Sequence, residues 1–128
     1  MPGSAGPALD NVTAREVRTL QEQRREILRK ALDAREKLYQ AGRVEISGVV
    51  DTAKRLLRVE LDLAATGAGR IAAHEKHLEK MLALIDLAHA KFRGGRGNYP
   101  DVLDAQDAYV EAKIGLLKAG GKLKNAEK

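Results

Sequence analysis

The chain has 128 residues and an aromatic content of 3%, with one Phe, three Tyr and no Trp, so a single domain's core has to be built from Leu, Ile, Val and Ala. That composition argues against an all-β fold and for packed helices. Without cysteine, disulfides, thiolate metal sites and cysteine nucleophiles are all excluded, and a net charge of +5, drawn from 23 Lys+Arg against 18 Asp+Glu, mixes both signs over a soluble surface.

Gly and Pro divide the rest. The opening "MPGSAGPALDN", residues 1–11, lacks the basic start and apolar middle of a signal peptide and is expected to be flexible. The first segment sets Leu20, Ile27, Ala31, Ala34 and Leu38 at helical spacing among many charges, which predicts a long amphipathic helix ending near Gly42. The second carries two stripes, Val49, Leu56, Val59 and Leu63 beside Val50, Ala53, Leu57, Leu61 and Ala64. After "TGAG", the third shows the clearest period: Ile71, His74, Leu78, Met81, Ile85, Ala88 and Phe92 alternate steps of three and four. After "GGRGNYP", the fourth repeats it with Val102, Ala105, Tyr109, Ala112 and Leu116, and Leu103, Val110, Ile114 and Leu117 widen the stripe toward a second neighbour. No segment approaches the roughly 18 apolar residues of a membrane span, so no insertion into a membrane is expected. Residues 120–128 read as a flexible basic tail.

Connections of about four residues cannot cross the length of a bundle, so sequence neighbours are expected to run antiparallel. The expected fold is all-α: an antiparallel up-down-up-down four-helix bundle over residues 12–119, made of two tandem helical hairpins at about 12–66 and 69–119. The tandem is visible in the residues. Shifting the chain by 53 positions lays Tyr39 over Phe92, Gly42 over Gly95, Arg43 over Arg96, Val49 over Val102, Asp51 over Asp104 and Leu63 over Leu116. Gly42 and Gly95 suit the position just past a helix, where a left-handed backbone is needed. In the second copy Asn98 is a good N-cap, Pro100 suits a first turn, and Asp101 brings a carboxylate to free N–H groups. The first copy has the poorer Glu45 and Gly48 there. Ser47 is expected to cap instead, two residues later, and the first turn to be the looser.

The pattern aromatic-x-x-Gly followed by Asp-Val-Leu-x-Ala-Gln, in "FRGGRGNYPDVLDAQ", resembles the hairpin-tip motif of TolC-like outer-membrane efflux channels, and "YQAGRVEISGVVDTA" is a degenerate copy. The likeness covers roughly residues 25–118. It implies two tandem hairpins whose tips meet an adaptor-like protein partner in the periplasm or cell envelope. It also implies that Gly42, Arg43, Gly95, Arg96, Asn98 and Asp101 are tip residues, with the two arginines forming a shared basic surface. The family's barrel strands are missing here, so a channel is not implied.

Other chemistries find weaker footing. His74 and His77 share a helix face, but the spacing is His-x-x-His, and a packed histidine at a seam position is expected rather than a ligand; no metal and no cofactor are expected. Ser4 and Ser47 have no histidine placed beside them, and Asp101 with Asp104 is the acid pair any first helical turn favours, so no enzyme is expected. The first helix is rich in Arg and Lys, yet interleaved acids allow the usual i,i+3 and i,i+4 pairs, and no aromatic platform accompanies it, so nucleic acid binding is the alternative rather than the main reading. Tyr39 and Phe92 read as core plugs at the tip end. The expected function is a structural or protein-interaction module with its docking surface at the tips, and self-association through the wide apolar stripe is a further possibility.

Overall fold

The computed structural model describes residues 10–124, and these form four α-helices with no strand among them. They are α1 (Asn11–Gln40), α2 (Ile46–Leu63), α3 (Gly67–Arg93) and α4 (Tyr99–Lys118). None of the helices is long and apolar enough to cross a membrane. Residues 1–9 of the expected flexible opening and residues 125–128 of the expected tail lie outside the described residues. Helix α1 packs on α2 and α3 on α4, while α2 also touches both α3 and α4.

Local signals set the ends. Asp10 caps α1 by accepting from the Thr13 N–H at 2.7 Å, Thr66 caps α3 through the Gly69 N–H at 3.0 Å, and Asn98 caps α4 through the Asp101 N–H at 2.9 Å. Helices α1 and α3 finish in the same way. The N–H groups of Gly42 and Arg43 reach back to the carbonyls of Tyr39 and Leu38, those of Gly95 and Arg96 to Phe92 and Lys91, and both glycines sit at positive φ, 75° and 73°. This is the Schellman arrangement, which satisfies two orphan carbonyls at the cost of one left-handed residue.

Ser47 is not the cap of α2. The helix begins at Ile46, with Glu45 in the N-cap position and no side-chain hydrogen bond. Packing explains this: Ile46 and Val49 are both fully buried, and starting the helix at Ile46 puts them one turn apart on one face, whereas a cap at Ser47 would unwind the anchoring residue.

The core is aliphatic, centred on Val49, Met81, Leu84, Val102, Ala105 and Leu116. Helix α2, with neighbours on several sides, buries or half-buries both of its stripes. Three expectations about burial fail. The stripe assigned to α1 is turned outward: Leu20 and Ile27 are 61% and 64% exposed and Leu38 is exposed, while Leu28, Leu32 and Tyr39, one residue further on, carry the burial. The helix has two apolar stripes about 100° apart, and the one matching the core of α2 is chosen. On α4 the narrow seam is buried, but Leu103, Val110, Ile114 and Leu117 face solvent because α2 and α3 cover only one side. Phe92 is likewise no core plug; it is exposed and lies against exposed Tyr99, the rings tilted by 46° with centroids 5.8 Å apart.

The candidate docking surface at the paired turns

The turn after α1 and the turn after α3 come together in one open cleft of about 260 Å³. Of the six residues singled out in the sequence, Gly42, Arg43, Arg96, Asn98 and Asp101 line it, joined by Tyr39, Val44, Glu45, Lys91 and Gly97. Gly95 does not line the cleft; it shapes the second turn from outside. The surface is also not simply basic, because Glu45 and Asp101 stand among the cations.

The tie between the turns is a lysine that the motif reading missed. Lys91 on α3 is only 4% exposed. Its ammonium donates to the Tyr39 carbonyl at 2.8 Å and lies 4.7 Å from the centroid of the Tyr39 ring. A buried ammonium needs such acceptors, and here a carbonyl and a ring face share the work. The Tyr39 carbonyl already receives the Gly42 N–H, and the Lys91 carbonyl receives the N–H groups of Arg96 and Gly97. One side chain therefore links the backbone of both turns. The signal was present in the repeat: the shift of 53 lays Lys91 over Leu38, a charge over an apolar residue.

Gly97 lets the second turn fold flat onto α3, since a Cβ there would stand 2.9 Å from the Cβ of Lys91 and 3.0 Å from the Phe92 nitrogen. The first turn has Val44 at the matching place, half-buried against the core. The Tyr39 hydroxyl is buried without a partner in hydrogen-bonding geometry, so neighbouring Asp101 acts on it as a charge. Burial first, and that carboxylate second, push the hydroxyl up to about 12, which keeps it neutral under ordinary conditions.

The histidines lie elsewhere on α3. His77 is buried and His74 half-buried, and desolvation lowers both, His77 to about 4 with help from His74 and Lys54 against the opposing Glu111. Among the described residues no group of three or more His, Asp or Glu is placed to hold a metal ion. On α1, Arg29 reaches Glu60 at 3.1 Å, Lys37 reaches Asp33 at 3.1 Å and Arg18 approaches Glu22 at 3.8 Å, so part of the basic face is engaged. Compared with known protein families, characterised proteins and solved structures, the chain finds no match.

Proposed function

We propose that this chain is a non-enzymatic protein-interaction module, an up-down-up-down bundle of two tandem hairpins that docks a protein partner at the end where its two turns meet. The alternating order is supported by cross-helix contacts. Arg18 reaches the Leu63 carbonyl, pairing the start of α1 with the end of α2; Phe92 meets Tyr99 across the second turn; and Lys80–Glu36 together with Lys91–Tyr39 align α1 with α3. The observation that carries the docking reading is the convergence of five of the six motif residues in one cleft fastened by Lys91. A surface pre-organised on rigid helix ends loses little entropy when a partner binds, and arginines are favoured in such contacts. The likeness to the hairpin tips of TolC-like proteins, read from the motif, makes an envelope adaptor-like protein the partner class to try first.

The test is capture from a native extract at matched salt, comparing wild type with Arg43→Glu/Arg96→Glu. Both arginines are exposed turn residues, so the double substitution should change stability by about half a kcal/mol or less per site. A specific protein retained by wild type and lost by the variant supports the reading. Equal retention by both sinks it. Nucleic acid binding through α1 would instead weaken steeply with salt and fail with Arg25→Glu/Arg29→Glu.

A further inference from the structure

The exposed apolar residues are not scattered. On α4, Leu103, Val110, Ile114 and Leu117 are 46–50% exposed and form one stripe with Tyr99. On α1, exposed Leu20, Ile27 and Leu38, with half-buried Ala31 between them, follow similar helical steps. The repeat gives these faces a meaning. Shifted by 53, the α4 stripe lies over Ile46, Val50, Leu57, Leu61 and Ala64 of α2, every one buried or half-buried. The α1 stripe lies over Ala73, Lys80, Leu84 and Lys91 of α3, again buried or half-buried. Inside the chain, then, the outer face of copy one meets part of the inner face of copy two where α2 packs on α3, with Val50 and Leu84 in one core cluster and Leu57 beside His77, while Lys80 and Lys91 of that inner face reach on to α1. The same outer face recurs on α4 and the same inner face on α1, and both are left bare.

We infer that copies of this chain associate head to tail, with α4 of one chain seated on α1 of the next in the geometry that α2 and α3 adopt within the chain. Charge selects this pairing over others. Helix α1 carries eight basic against five acidic residues, and α4 four acidic against two basic, so α1 on α4 attracts while either helix on its own copy repels. The polar position within each bare stripe, Asp107 on α4 and Arg24 on α1, agrees. Within the chain, Lys54 of α2 and His77 of α3 line one cleft, where burial and then the neighbouring His74 and Lys54 disfavour protonation of His77. The equivalents are Asp107 on α4 and Arg24 on α1, which put opposite charges where the chain itself sets Lys54 beside a neutral His77. Seated this way, Leu38 of the next chain covers Phe92, as Lys91 covers Tyr39, and the exposed Phe92–Tyr99 pair becomes buried. Such an interface is heterologous, so it propagates until it closes into a ring or continues as a filament. It rests on the tandem-hairpin arrangement and not on docking at the turns, which occupies a different surface.

Sedimentation at rising concentration, with the single variants Ile27→Glu and Val110→Glu, tests it. Wild type should assemble; each variant alone should stay monomeric, because one of its two faces is broken. An equimolar mixture should give a discrete two-chain species, since each variant supplies the face the other lacks. Arg24→Asp and Asp107→Arg should each weaken assembly at least tenfold, and together in one chain restore it. A monomeric wild type at 200 µM, either Glu variant still pairing alone, or a mixture that stays monomeric overturns the inference. All four positions are exposed, so unchanged helical content shows that the fold survives. The chain has no cysteine, and Lys54→Cys with Glu111→Cys, whose native side chains pair at 2.6 Å, can be bridged by a short bismaleimide. If that bridge forms within monomers while wild type never assembles, the hairpin packing stands and only the interface falls. If the bridge does not form, the inference falls with the packing.

Discussion

The two turns share a backbone and little else. Both end a helix with a Schellman arrangement around a glycine of nearly equal φ, yet the first is flanked by Tyr39 and Ile46, 1% and 0% exposed, and the second by Phe92 and Tyr99, 44% and 54% exposed. The second has the better caps, with Asn98 on the Asp101 N–H and Pro100 in the first turn, while α2 starts with no side-chain cap. A cap is worth about 1 kcal/mol, whereas burying a large apolar side chain is worth roughly 1.5–3 kcal/mol. Burial should therefore decide which turn is tighter, reversing the order that cap chemistry alone suggests. Hydrogen exchange on dilute protein is expected to be slower at 43–48 than at 96–101. The opposite order would mean that local capping governs these turns after all.

Substitutions at matching positions separate the two effects. Tyr39→Ala should cost about 3–5 kcal/mol in denaturant unfolding, including the loss of the ring face beneath the Lys91 ammonium, while Phe92→Ala should cost about 1 kcal/mol or less. Equal costs would break the comparison. A second contrast lies further along the repeat, where His77 is buried and its counterpart Arg24 is exposed. The folded protein holds His77 at about 4 against an ordinary value of 6.5. The unfolded chain thus binds the extra proton first, so stability is full above about pH 6.5 and falls as pH drops toward 4. His77→Gln should flatten that slope in thermal melts across the same window, and Arg24→Gln should leave it alone.

Smaller effects should be shared or local. Gly42→Ala and Gly95→Ala each force a side chain into the left-handed region with open space around it, and each should cost about 1–2 kcal/mol, alike within error. A large difference would show that one turn is held by more than its backbone. Asn98→Ala should cost about 1 kcal/mol and Glu45→Ala close to nothing, read from the same unfolding curves.

Reading from residues alone went furthest where one residue decides the outcome. Gly42, Gly95 and Asn98 act through their own backbone or the next turn, so their roles were legible without a fold. The stripes of α2 and the narrow seam of α4 were legible too, because each lies on a single continuous face. The reading failed at Leu20, Ile27 and Leu38, and at Leu103, Val110, Ile114 and Leu117, for the same reason. Helical spacing shows that an apolar face exists, and on α1 two such faces compete, but spacing carries no information about which neighbour arrives to cover it. Among the candidate site residues, the motif chose five that do meet in the cleft and passed over Lys91, whose role exists only because Tyr39 lies across from it.

By itself, then, the sequence determined four helices, the ends of α1 and α3, the start of α4 and the repeated turn motif, since these follow from periodicity, glycine conformations and caps, all set within a few residues; the start of α2 was set by the burial of Ile46. Only the tertiary structure decided which of the equivalent faces is covered. Helical spacing establishes that an apolar face exists, and only the packing of α1 on α2 and of α2 on α3 and α4 settles which face is covered.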